Sequence, residues 1–143
     1  MLRADTPYAP APGLDDLQEL ASQASTGGAS VTLDVDHRAG SAPGRMPDSV
    51  GLAVYRIVQE AITNVVKHAA PAHCHVSVVV DTDEVRVDVN DDGKRRPVAA
   101  GTGYGLTGMR ERVALYGGTF SAGPRTGGGF AVTARLPVGG GGG

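Results

Sequence analysis

The chain has no tryptophan, only two phenylalanines and a single cysteine, Cys74. One thiol cannot build a disulfide framework, so the fold must be held by its core, and a reducing cytosolic compartment fits best. Long apolar runs are missing too. None approaches the ~20 residues that a membrane helix needs, and residues 1–13 lack the apolar stretch of a signal peptide, so none is expected. There is no excess of positive charge either: a net charge of −2 leaves no electrostatic footprint for nucleic acid. What remains is a chain of 143 residues, 41% hydrophobic and 20% charged, long enough for one domain with one core.

Its 22 glycines and 9 prolines cluster at the N-terminus, around 93–105, around 117–129 and in the tail. Residues 1–13 hold three prolines and read as an extended lead-in, the remnant of a linker. The globular part is expected over 14–137, and the glycine tail 138–143 cannot bury anything and is expected to be disordered.

Within the globular part, Leu14, Leu17, Leu20, Ala21 and Ala24 recur at helical spacing, which predicts a short helix over 14–24. Residues 31–36 alternate as a strand does. The longest periodic segment is 48–69. Val54, Ile57, Val58, Ala61, Ile62, Val65, Val66 and Ala69 make one apolar stripe, with Asp48 or Ser49 as candidate cap and Pro71 beyond the end. Strands are predicted at 75–81 and 84–90, joined tightly through Asp81-Thr82-Asp83. A helix over 106–116 closes on Gly117-Gly118, and a final hairpin runs over 118–123 and 129–136. Tight turns between successive strands imply a mixed, mostly antiparallel sheet. With helices on one face, the fold class is α+β, a two-layer α/β sandwich.

Gly103-Tyr104-Gly105-Leu106-Thr107-Gly108 matches G-x-G-x-x-G, but the dinucleotide reading fails on context. That fingerprint follows a strand directly and is followed ~20 residues later by an acidic residue. Here a loop precedes it, and no Asp or Glu follows Glu111. A Walker loop is absent as well. Taken physically, Gly101, Gly103 and Gly105 let backbone approach an anion closely and open into a helix N-terminus beginning at Leu106, whose unpaired N–H groups attract phosphate. A solvated loop without ligand fits the glycines equally well.

The polar face of the long helix favours the ligand reading. Glu60 and Asn64 stand one turn apart on one face, with His68 continuing the line and Lys67 beside it. A carboxylate, an amide oxygen, a cation and an imidazole suit a magnesium ion and a phosphate chain, because magnesium takes few protein ligands and keeps its waters. An ordinary solvated face is the commoner meaning of such charges, but helix propensity does not favour Asn at a helix centre. Asp91-Asp92-Gly93, at a strand exit, places a carboxylate where it can accept the exocyclic amine of adenine; Asp-Gly is also a common plain turn.

With these elements in order, the chain resembles the catalytic ATP-binding domain of sensor histidine kinases over about residues 14–137. The resemblance is carried by RIVQEAITNVVKHA (56–69), VNDDG (89–93) and GYGLTGMRERVALYGG (103–118). It is strongest to the nitrate-sensing and membrane-fluidity-sensing kinases. It implies the Bergerat ATP-binding sandwich, ATP and magnesium, and γ-phosphoryl transfer to a histidine. It also implies that Asn64 ligates magnesium and that Glu60 orients a metal-bound water or acts as general base. Lys67 and His68 would approach the phosphates, Asp91 would recognise adenine, Gly93 would let the chain turn beside the base, and Gly103 and Gly105 would cradle the phosphates beneath a lid at about 94–104, with Gly101 and Leu106 also among the nucleotide-binding residues.

Two positions depart from the family: Arg95 stands at the last glycine of Asp-x-Gly-x-Gly, and Phe130 follows Gly129 where many relatives carry threonine. In the family the acceptor histidine is normally followed by an acidic residue, and none of the four histidines here is, so the resemblance implies an acceptor on a partner, a separate dimerisation and phosphoacceptor domain, and through it a response regulator. The chain is then expected to be monomeric and cytoplasmic, or the cytoplasmic part of a membrane-bound sensor. The alternatives are a nucleotide-binding module without transfer activity and an anti-sigma-factor serine kinase. His73-Cys74-His75 as a metal site is a further reading, weakened because alternation turns Cys74 away from both histidines.

Overall fold

The computed structural model describes residues 12–38, 47–94 and 105–138. The expected lead-in and glycine tail lie almost wholly outside these residues. A 3-10 turn at Leu14–Asp16 leads into α1 (Leu17–Ala24), followed by β1 (Ala29–His37), α2 (Asp48–His68), β2 (Ala72–Val80), β3 (Glu84–Asp91), α3 (Leu106–Leu115), β4 (Thr119–Pro124) and β5 (Phe130–Pro137). The strands form one five-stranded sheet in the order β1-β2-β3-β5-β4. β1 and β2 are parallel, and the other three pairings are antiparallel. The single parallel pair follows from connectivity: α2 carries the chain from β1 to β2, and parallel strands need such a crossover.

Strict alternation puts one face of the sheet under the helices. Val76, Val89 and Val132 lie side by side, as do Val78, Val87 and Ala134, and then Val80, Val85 and Leu136. All nine are buried. The helical stripe from Val54 through Ile57, Val58, Ala61, Ile62 and Val65 packs on them within one core. The other face of the sheet is polar, with Ser30, Thr32, Asp34, His73 and Arg86 exposed, as befits an antiparallel sheet covered on one side. Cys74 is buried in the core, while His73 and His75 sit on the polar face against Ser30, Thr32 and Asp34. The triplet therefore does not converge on a point.

Two local expectations need correction. Neither Asp48 nor Ser49 caps α2; Pro47 is the boundary residue, and no side chain caps the helix. The Pro47 carbonyl accepts from the N–H groups of Val50 at 3.0 Å and Gly51 at 3.2 Å. Asp48 sits in the first turn, where negative charge suits the helix dipole. The first two strands are also longer than their patterning suggested, because pairing between them runs from Ala29↔Ala72 to His37↔Val80.

Truncating the stripe should be costly and changing the open face should not. Ile57→Ala should lose about 2–5 kcal/mol, whereas Ser77→Ala on the polar face should stay within about 0.5 kcal/mol. Urea unfolding with unchanged m-values measures both.

Candidate functional site

Two polar side chains are buried among the described residues, Asn64 at 5% exposure and Asp91 at 2%. Burying a polar group costs free energy unless it is bonded, so neither position is an accident of surface composition. Asn64 lies on the flank of α2 beside its apolar stripe. Asp91 ends β3 on the helix-covered face, in one row with Cys74 of β2 and Phe130 of β5. Its Oδ1 accepts the Gly93 N–H at 3.0 Å, an Asx-type turn that sets the exit direction of the chain.

That exit leads straight onto α2. A Cβ on Gly93 would lie 2.5 Å from the Ala69 carbonyl oxygen and 2.6 Å from the Ala69 Cβ, so the chain passes too close for any side chain. The segment 95–104 lies outside the described residues, and with it Gly101, Gly103 and Arg95. Where the chain re-enters, at Gly105, it again lies against α2. Gly105 has φ +69° and precedes α3 as its boundary residue. A Cβ there would collide with the Glu60 carboxylate and lie 2.9 Å from its Cδ. Ala69 closes α2 as its C-terminal boundary residue, nine residues beyond Glu60, about 14 Å along the helix axis. Both ends of the glycine-rich segment are thus anchored along the stretch of α2 that carries Asn64.

Glu60 is half-buried on the same side of α2 as Asn64. Lys67 is exposed and His68 half-buried in the last helical turn, where positive charge suits the helix dipole. Leu106 opens α3 and is half-buried. The structure therefore gathers Glu60, Asn64, Gly93 and Gly105 along one helix, with Asp91 one turn of chain from Gly93.

No group of three or more His, Cys, Asp or Glu side chains that could cage a metal occurs among the described residues. The oxygens of Glu60 and Asn64 suit a hard cation that takes few protein ligands and completes its shell with phosphate and water. A separate depression of about 290 Å³, lined by Arg38, Asp81, Glu84, Arg86 and Asp88, lies at the hairpin end of the sheet, away from Asp91. There Arg86 is paired with Asp88 at 2.9 Å.

The supports around Asp91 were not visible in the sequence patterning. Arg125 Nη1 donates to the Asp91 carbonyl at 3.2 Å, and Asp92 exchanges two hydrogen bonds with His73. Only the register of β3 against β2 and β5 brings these residues together.

Gly105→Ala combines two penalties, and controls separate them. A left-handed alanine costs about 1–2 kcal/mol. Gly117, at φ +73° with nothing near its Cβ position, should show that cost alone as Gly117→Ala. Gly105→Ala should exceed it, and adding Glu60→Ala should bring the loss back to the Gly117→Ala value in a denaturation double-mutant cycle.

The model of the histidine kinase-, DNA gyrase B- and HSP90-like ATPases matches residues 49–140, from the start of α2 past the end of β5. The chain is 38% identical over 113 residues to the sensor histidine kinase YxjM of Bacillus subtilis, covering 77% of this chain and 27% of that protein. It is 32% identical over 109 residues to the oxygen sensor histidine kinase NreB of Staphylococcus carnosus, covering 74% and 31%. The chain thus spans between a quarter and a third of these curated relatives. Among solved structures, the nucleotide-free catalytic domain of the histidine kinase ThkA superposes with a TM-score of 0.62 at 15% identity, covering 87% of this chain and 96% of that one. A blue-light-activated histidine kinase of Erythrobacter litoralis gives 0.60 at 24% identity, covering 89% and 42%. At those identities the likeness shows a shared fold. Together with the family match, it establishes that the chain belongs to the histidine kinase-, DNA gyrase B- and HSP90-like ATPase family.

Proposed function

We propose that this chain binds Mg-ATP between α2 and α3 and transfers the γ-phosphoryl group to a histidine on a separate dimerisation domain. The observation that carries the reading is the burial of Asn64 and Asp91, polar groups set in an aliphatic layer on the elements that the two ends of the glycine-rich segment contact. Sensor kinases among the relatives favour a histidine acceptor over a serine one.

In this reading the Asp91 carboxylate accepts the exocyclic amine of adenine, and Gly93 leaves room for the chain to turn beside the base. Asn64 would supply an oxygen to magnesium, whose charge would offset that of the phosphates. Glu60, one turn earlier, would orient water beside Asn64 or take the proton that the acceptor imidazole gives up. Lys67 and His68 approach the phosphates. Gly105 and Leu106 bring the α3 N-terminus to them, where free N–H groups stabilise anions, and Gly101 and Gly103 join the same cradle. The bond from the γ-phosphorus to the bridging oxygen breaks, a bond to the imidazole nitrogen forms, and ADP leaves. Catalysis of this kind is placement and charge neutralisation. No helix among the described residues is long and apolar enough to cross a membrane, and a site that uses ATP belongs in the cytoplasm, where a response regulator would receive the phosphoryl group in turn.

Binding of a fluorescent ATP analogue, with and without magnesium, tests the site. Asp91→Ala should weaken binding about 10- to 100-fold in either condition, the loss of a hydrogen bond to a charged group. Asn64→Ala should abolish the gain that magnesium confers. Parent-like binding by both variants rules the assignment out. With γ-labelled ATP, label should appear on an added dimerisation domain; ATP binding without that label would leave a nucleotide-binding module.

A further inference from the structure

We infer that Arg125, on the β4–β5 hairpin, is a positioning residue for base recognition. It holds the backbone of Asp91 and thereby aims the carboxylate that reads the base. The inference rests on the nucleotide reading above and extends it to a residue 34 positions away in sequence.

The hairpin tip closes through its own backbone. The Arg125 N–H donates to Gly129 O at 2.9 Å, and the Gly128 N–H donates to Arg125 O at 3.1 Å. The Arg125 side chain is not needed for that closure. It reaches instead to the Asp91 carbonyl, 3.2 Å from Nη1. The same carbonyl is pressed by Gly129, where a Cβ would overlap the oxygen and lie 2.9 Å from the carbonyl carbon. One residue on, Asp92 is fixed to His73 through Asp92 N–H to His73 O at 3.1 Å and His73 N–H to Asp92 Oδ1 at 2.8 Å. Gly93 then holds Oδ1 of Asp91 itself. The turn that carries the candidate base reader is thus gripped by β2, by the end of α2 and by the hairpin, and the hairpin's side-chain hold is a hydrogen bond from a charged donor.

Asp91 bears unusual weight here because of its neighbour. Phe130 pairs with Asp91 across β3 and β5 and is buried, placing hydrocarbon beside the carboxylate. Asp91 is the one buried carboxylate among the described residues, and hydrogen bonds weaken steeply with angle. A carboxylate aimed at an exocyclic amine also opposes the O6 of guanine. A loosened Asp91 should therefore lose adenine while guanine gains or stays level.

Calorimetric titration of ATP and GTP, with magnesium, into the whole chain tests this. Arg125→Ala should bind ATP about tenfold more weakly, the value of a charge-assisted hydrogen bond, with GTP unchanged or tighter. Arg125→Lys, which keeps a charged donor, should recover most of the loss. If Arg125→Ala does not fold, Arg125→Gln replaces it, with a smaller loss confined to ATP. Equal weakening of ATP and GTP would reduce Arg125 to a general structural role and overturn the proposal, as would parent-like binding. Asp91→Ala separates the two levels of the argument. If it abolishes the ATP preference while Arg125→Ala is silent, only the role of Arg125 falls. If it leaves the preference intact, or the parent has none, the base assignment falls and this inference with it.

Discussion

The rest of the structure depends on α2 serving two surfaces at once. Its central stripe, Ile57, Val58, Ala61, Ile62 and Val65, is sealed against the sheet, which fixes the helix in position and rotation. Because the helical repeat is fixed, that rotation also fixes where Glu60 and Asn64 point: onto the flank of the stripe, where chain leaving β3 and chain entering α3 both return. A helix held less firmly would bring neither Gly93 nor Gly105 so close that no side chain fits. The packing that stabilises the fold and the geometry that defines the candidate site are thus one constraint. The sheet contributes by crossing over once, from β1 through α2 to β2, and by leaving its other face to solvent.

Asp91 shows the same coupling from the sheet side. It is the last residue of β3, and alternation puts its side chain on the helix face in line with Val85, Val87 and Val89. A carboxylate at the end of such a row costs free energy to bury, and the surrounding chain is arranged to hold it: Gly93 on its oxygen, Arg125 and Gly129 on its carbonyl, Asp92 on His73.

Much of this was legible in the sequence, for a definite reason. Periodicity is local, so the stripe of α2 and the alternation of β2, β3 and β5 could be read directly, and with them the sandwich. Glu60 and Asn64 stood out because a turn of helix aligns them, and Asp91 because it ends an alternating run before a glycine. The cap of α2 was misread because Asp48 and Ser49 have capping chemistry, whereas the boundary falls one residue earlier, at Pro47. The ends of β1 and β2 were underestimated because their length is set by pairing with each other, which no window along one strand contains.

The sequence by itself determined the elements, their order, the faces they bury and the identity of the polar residues that break the aliphatic pattern, because each depends on neighbours within a few positions. The tertiary structure alone decided which distant pieces share a place: Gly105 against Glu60, Gly93 against Ala69, Arg125 and Gly129 on Asp91. Those contacts arise from strand register and helix docking, which sum the burial of the whole core, and no local spacing encodes them.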